Sequence, residues 1–228
     1  MRPIIGVLLR PNKNQDQQDI FSLNKEVADM ILRKGGIPLG ITPTYMDCFY
    51  EKDFYSSSQM REEDWKALKR VLDVCDGFIL QGGSEFYDYD VKTIHYLYEK
   101  NIPVLGICLG MQAMGFTFNG KVDTLGSLDH KKKDAYVHEV YLRPHSMLAS
   151  ILKKDHFGVN SRHKDFLDTT SLEIVGYSDD GLIEAIEDKN KDFFIGVQWH
   201  PESLIAFDET SNLLMEAFMK AVRTKMIF

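Results

Sequence analysis

Two stretches of this chain place reactive side chains where a backbone changes direction. The first is "GICLG" (residues 106–110), an apolar run that turns at Cys108 into a helix-like pattern. The second is "FFIGVQWHPE" (residues 193–202), an apolar run closed by His200, Pro201 and Glu202. G-x-C-x-G has the form of a nucleophile elbow: strand turns sharply into helix, the middle residue takes a strained conformation, and the flanking glycines let neighbouring backbones approach. The free amides and positive dipole end of the following helix favour a thiolate, the form that attacks carbonyl carbon. Taken alone, the pattern describes a buried structural cysteine equally well. Cys48 and Cys75 lack this setting and read as structural.

His200 supplies the context. Proline disfavours a helical backbone at the preceding residue, so His200 is expected to be extended. Extended side chains repeat every two residues, which would point His200 and Glu202 the same way. Glu202 then accepts a hydrogen bond from one ring nitrogen and leaves the other to exchange a proton with Cys108, the base-plus-orienter logic of a triad. A metal at His200 and Glu202 is not expected, because the chain has no H-E-x-x-H and no close third ligand there. No metal or other cofactor is expected elsewhere.

A thiolate adding to a carbonyl creates an oxyanion. The Leu109 amide at the helix start is one expected donor, and Gly83 of "ILQGG" is the other. Each donor of this kind is worth about 3 kcal/mol in the transition state. "GVNSRHKD" ends another strand with Asn160, Ser161, Arg162 and His163, which could line the pocket. His163 is a rival base, since Asp165 follows two residues on. "HKKKD" (residues 130–134) is either a solvated loop or a clamp in which Lys131, Lys132 and Lys133 meet phosphates.

The rest of the chain must position these groups. Its 228 residues are 44% hydrophobic, enough for one large core, and a single domain over 1–228 is expected. The net charge of −7 gives no reason to expect nucleic acid or an anionic membrane as partner. Three scattered cysteines make no disulfide framework and point to a reducing cytoplasm. The apolar run in "MRPIIGVLLR" is too short to span a bilayer and reads as the first strand. "RPNKNQDQQD" reads as a polar loop. Ser22 and Glu26 open a helical pattern through Val27, Met30 and Ile31, and "EEDWKALKRVLDVCD" is amphipathic, with Trp65, Leu68, Val71 and Leu72 on one face. Strand-like "IPLGIT", "GFILQGG" and "IPVLGIC" alternate with these helices. That is the pattern of an α/β fold with a mostly parallel central sheet flanked by helices. After about residue 120, "HEVYLRP", "HFGVNSRH", "LEIVGYS", "GLIEAIE" and "FFIGVQWH" predict extra short strands. "DETSNLLMEAFMKAVRTK" predicts a closing helix capped by Asp208 or Ser211.

With these pieces in order, the chain resembles class I glutamine amidotransferases, and more closely their γ-glutamyl hydrolase (peptidase C26) branch. The matching motifs are "ILQGGSE", "VLGICLGMQ", "VHEVYL", "FGVNSRH", "GLIEAIE" and "FFIGVQWHPES", within a likeness covering residues 4 to 220. The resemblance implies a flavodoxin-like three-layer fold. It also implies a Cys108–His200–Glu202 triad, an oxyanion hole at Gly83 and Leu109, and a γ-glutamyl thioester. Gln112 falls where the family holds the glutamyl group, and Ser161 and His163 match its "N-S-x-H" motif. Two departures stand out. Met111 replaces the histidine of "GICLGHQ", and "GGSEFYDYD" runs directly into the next helix without the branch's longer "D-x-x-P" segment.

The expected activity is cleavage of a small-molecule γ-glutamyl amide with release of L-glutamate. The most specific expected substrate is γ-glutamyl-CDP-amidate of capsule phosphoramidate biosynthesis, with Arg10, Arg162 and Lys131 to Lys133 meeting its phosphates. Three alternatives stand beside it: a γ-glutamyl-γ-aminobutyrate-type hydrolase, a glutaminase subunit feeding ammonia to a separate synthetase, and an inactive binding domain.

Overall fold

The computed structural model describes residues 1–44, 55–56 and 60–227. The reading of Cys48 as structural lies outside the described residues. A nine-stranded sheet runs through the molecule. Its spatial order is His156–Val159, His138–Leu142, Glu173–Ser178, Ile183–Glu187, Phe194–Val197, Val104–Ile107, Gly77–Leu80, Ile4–Leu8 and Ile37–Ile41. The five strands from Phe194–Val197 to Ile37–Ile41 are mutually parallel. The other four add on antiparallel. In chain order the parallel part reads 2-1-3-4-5, the flavodoxin-like order. Its direction reverses between Ile4–Leu8 and Gly77–Leu80, and folds of this kind open a ligand crevice at the carboxyl ends of such a pair.

The central strands are apolar at every position because both faces are covered. On one face, Val27, Met30 and Ile31 of the helix Lys25–Arg33 pack with Leu214, Met215, Phe218, Met219 and Val222 of Glu209–Lys225. On the other, Leu68 and Leu72 of Glu62–Leu72, Ile94 and Leu97 of Asp88–Glu99, and Met111 and Met114 of Leu109–Thr117 form the second core. Met111 is fully buried against Gly196 of the central strand, so the departure from "GICLGHQ" serves packing.

Local structure departs from the sequence expectations in four places. "RPNKNQDQQD" is not a loop throughout: Arg10–Lys13 pairs antiparallel with Asp19–Ser22. The first helix is capped by Asn24, whose side chain accepts from Glu26 N–H, and not by Ser22. Val71 faces solvent while Asp64 is buried, held by Arg61 at 2.8 Å. His200 does not lead an extended segment. Pro201 takes the first position of a short helix, Pro201–Leu204, as its fixed φ allows, and Glu202 lies in that first turn. Among the described residues no helix is long and apolar enough to cross a membrane.

Candidate active site

Cys108 sits between the strand Val104–Ile107 and the helix Leu109–Thr117 with φ 52° and ψ −108°. A non-glycine residue held there stores about 1–3 kcal/mol. Its N–H donates to Val197 C=O at 2.8 Å, anchoring the elbow to the neighbouring strand. The glycines permit the turn by sterics. A Cβ on Gly110 would lie 2.0 Å from Leu80 O, and one on Gly106 would lie 2.4 Å from Met114 Sδ. The helix therefore enters against the backbone of Gly77–Leu80, with the thiol at its amino end.

His200 Nδ1 lies 2.7 Å from Glu202 Oε1, and both side chains are buried. The imidazole also lies close enough to the Cys108 side chain to interact with it electrostatically. Burial by itself would lower the His200 pKa. The negative charges of Glu202 and Cys108 outweigh it and push His200 up to about 10. His200 thus stays protonated across neutral pH. Glu202 meets it through the first turn of a helix rather than through the period-two alternation expected from the sequence.

Gly82 and Gly83 follow the strand Gly77–Leu80. A Cβ on Gly82 would lie 3.1 Å from His200 Cε1 and 3.7 Å from Cys108 Cβ. One on Gly83 would lie 3.0 Å from Leu109 Cδ2. Gly83 therefore lies against the side chain of Leu109. The first-turn amide of Leu109 has no partner within its helix.

Two cavities meet here. The larger, about 1360 Å³, lies at the sheet's switch point and is lined by residues including Arg10, Gln81, Gly82, Tyr87 and His200. The smaller, about 360 Å³, is lined by Cys108, Gln112, Lys131, Arg162, His163 and Asp165 among others. Gly83, Ser84 and Glu85 belong to both.

The remaining sequence candidates divide. Gln112, Lys131, Arg162 and His163 line the smaller cavity, whereas Lys132 and Lys133 are exposed and lie outside its lining. Asn160 is a brace: its Oδ1 accepts from His200 N–H at 2.8 Å and its Nδ2 donates to His200 C=O at 3.0 Å. Ser161 is fully buried and donates to His130 C=O at 2.7 Å. Arg10 borders the larger cavity, but its guanidinium is held by buried Asp90 at 2.6 Å and by Gln81 C=O, so much of its charge is answered within the protein. His163 is not beside Cys108 as a base. Its Nδ1 lies 3.1 Å from Asp165 C=O, and its Nε2 faces Glu184 together with His130 and His138.

Three residues escape a reading of local sequence. Gln198 donates from Nε2 to Cys108 Sγ at 3.4 Å, and its Oε1 accepts from Gln112 at 3.1 Å. Gln81 donates to Leu8 C=O and Ser22 C=O and accepts from Asn24 N–H, tying the crevice walls together. Asp90 holds Arg10 and accepts from Tyr87 N–H. "GVQWHPE" contains Gln198 two residues before His200, a strand-end signal that could have found it. Cys75 behaves as expected of a structural thiol, with burial, aided by the Asp76 charge, pushing it up to about 12.

Comparison with known proteins agrees with this architecture. Residues 85–202 match the Peptidase C26 family. A Schizosaccharomyces pombe protein named as a glutamine amidotransferase is 33% identical over 63% of this chain and 68% of its own length. A glutamine amidotransferase-like protein of Rickettsia prowazekii is 24% identical over 89% of this chain and 92% of its own. In three dimensions, a glutamine amidotransferase from Thermotoga maritima superposes with TM-score 0.61 at 15% identity, covering 97% of this chain and 99% of that one. The chain belongs to the Peptidase C26 family of the class I glutamine amidotransferase-like superfamily.

Proposed function

We propose that this protein hydrolyses γ-glutamyl amides through a thioester on Cys108. The observation that carries the reading is the His200–Glu202 hydrogen bond set beside Cys108 at a strained elbow. Cys108 Sγ attacks the γ-carbonyl carbon, and the resulting oxyanion takes hydrogen bonds from the amides of Leu109 and Gly83. As the intermediate collapses, the carbon–nitrogen bond breaks and His200 gives its proton to the leaving amine. His200 then takes a proton from water, the hydroxide attacks the thioester, and glutamate leaves with the thiolate restored.

The two cavities fit the two halves of such a substrate. The smaller one is within the range of small-molecule sites and carries Lys131 and Arg162 for an α-carboxylate and Asp165 for an α-ammonium. The larger one has room for a nucleotide-sized leaving group. The shared segment Gly83, Ser84 and Glu85 lies where the scissile bond would cross. γ-Glutamyl-CDP-amidate of capsule phosphoramidate biosynthesis is the most specific substrate on this reading. Its support is the volume of the crevice, about 1360 Å³. The cations of the larger cavity, Arg10 and Lys13, are paired with Asp90 and Asp19, so they would meet a diphosphate as members of ion pairs.

Glutamate release from γ-glutamyl-CDP-amidate, γ-glutamyl-γ-aminobutyrate and glutamine tests the assignment. Preferred turnover of the nucleotide amide is expected. Preference for the aminobutyrate amide would replace that substrate and keep the chemistry. Turnover of glutamine only in the presence of a synthetase would replace the freestanding hydrolase. Glutamate release unchanged in a Cys108→Ala variant would reject the mechanism.

A further inference from the structure

Beside the crevice, four side chains converge that the proposed reaction does not use: His130, His138, His163 and Glu184. One ligand atom from each lies within 4.8 Å of the others. His130 Nδ1, His138 Nε2, His163 Nε2 and both oxygens of Glu184 are buried and have no hydrogen-bond partner among the described residues. The four side chains are 6%, 7%, 2% and 0% exposed. Five orphaned polar atoms at one point would be costly if nothing joined them, since a buried polar group without a partner forfeits the hydrogen bonds it would make in water.

The separations argue for what joins them. Glu184 Oε1 is 3.9 Å from His130 Nδ1 and 3.6 Å from His138 Nε2 and from His163 Nε2. Direct N–H···O bonds fall at about 2.7–3.2 Å. Ligand atoms placed tetrahedrally about 2.0–2.1 Å from a zinc ion stand about 3.3–3.4 Å apart. The cluster is too open for hydrogen bonds and is close to the spacing of ligands around an ion.

The outward-facing nitrogens point the same way. His130 Nε2 lies 2.9 Å from Asp180 Oδ2, His138 Nδ1 3.2 Å from Glu139 C=O, and His163 Nδ1 3.1 Å from Asp165 C=O. An imidazole that donates its far N–H to a carboxylate or carbonyl presents an unprotonated nitrogen on its near side, the arrangement metal-binding histidines adopt.

We propose that His130, His138, His163 and Glu184 form a His₃Glu site for a divalent transition metal of the zinc type. Borderline imidazole donors with one carboxylate suit that ion better than calcium or magnesium, which favour oxygen donors. With four protein ligands the site is closed, as in structural zinc centres. It joins two loops, carrying His130 and His163, to His138 on the strand His138–Leu142 and Glu184 on Ile183–Glu187. Those loops are already bonded to each other through His130 C=O, which accepts from Ser161 Oγ and His163 N–H. Because His163 and Lys131 border the cavity that holds Cys108, the ion fixes one wall of the crevice while standing apart from the reacting atoms. Such a site departs from the sequence expectation of no metal. Its ligands are scattered through "HKKKD", "VHEVYL", "NSRH" and "GLIEAIE", so no local spacing announces them.

Metal binding here is independent of the substrate and of the thioester mechanism, and its test needs no turnover. Full-length protein purified without chelator should contain about one zinc per chain by elemental analysis. After chelation, Zn²⁺ should be taken up at micromolar concentration by calorimetry, and Co²⁺ should give the intense visible bands of a tetrahedral site. The melting temperature should rise with added Zn²⁺, as linkage requires. Glu184→Gln and His138→Ala should each lower uptake at least about tenfold. Collapse of the fold on chelation, reversed by Zn²⁺, would support the site equally. Chelated protein that stays folded, takes up neither ion at micromolar concentration and shows no shift in melting temperature would overturn it, as would variants that bind both ions as tightly as the wild type.

Discussion

The side chain of Asn160 clasps the backbone of His200 on both sides, accepting from its N–H at 2.8 Å and donating to its C=O at 3.0 Å. This clasp fixes the last residue before Pro201 at φ −112° and ψ 81°, the conformation from which the imidazole reaches both Glu202 and Cys108. Asn160→Ala would leave the buried His200 N–H unpaired and leave its C=O with Ser203 N–H alone, at 3.3 Å. It should cost about 1–3 kcal/mol in denaturant unfolding and lower kcat more than it raises KM. Asn160→Asp keeps the acceptor and loses the donor, so its rate should fall between those of wild type and Asn160→Ala. Equal kcat for all three would show that the clasp does not position the histidine.

The elbow trades stability for placement. Cys108 carries φ 52° in a region where only glycine is at ease. Cys108→Gly should abolish turnover and raise unfolding free energy, or lower it by much less than a buried-residue deletion normally does, because relief of strain offsets lost packing. Cys108→Ala keeps the strain and should be less stable than Cys108→Gly. Denaturant midpoints of the two variants decide the order.

The pH dependence follows from His200. Its pKa is raised from the ordinary 6.5 to about 10, so the folded state holds the proton more tightly than the unfolded chain. The stability from this charge is fully present below about 6.5 and is lost as pH rises to about 10. In the proposed mechanism protonated His200 is also the acid that serves the leaving amine. The alkaline limb of kcat/KM should therefore fall near pH 10. Glu202→Gln removes one of the charges that hold the proton and should move that limb toward neutrality by about one unit or more. An unmoved limb would assign it to another group.

Buried Arg10 and Asp90 brace the crevice. Asp90→Ala leaves a guanidinium uncompensated and should destabilise by about 3–5 kcal/mol. Pairing it with Arg10→Met should recover most of that loss. Thermal unfolding of the single and double variants measures the coupling, and additive losses would show that the two charges do not act as a pair.

Much of this arrangement was legible in residue patterns, for reasons specific to each element. Ile4–Leu8, Gly77–Leu80, Val104–Ile107 and Phe194–Val197 announce themselves because burial on both faces demands unbroken apolar runs. The hairpin of Arg10–Lys13 with Asp19–Ser22 is mostly exposed and carries no alternation, so its sequence looks like a loop. Cys108 and His200 stand out because each follows the end of an apolar strand, and Glu202 stands out beside His200, although a helical turn rather than an extended step brings the two together. The roles of Asn160, Gln198 and Glu184 come from contacts between segments far apart in the chain, which local spacing does not encode. Arg10 reads as a ligand contact in the sequence because its burial partner, Asp90, lies in a helix far along the chain.

Acid quench of the enzyme during turnover, followed by mass spectrometry of its peptides, tests the thioester on Cys108 most directly. A glutamyl adduct is predicted on the peptide containing Cys108, absent from Cys108→Ala and converted to glutamyl hydroxamate by hydroxylamine. Glutamate release at full rate with no adduct at Cys108 under any quench, and undiminished in Cys108→Ala, would contradict it.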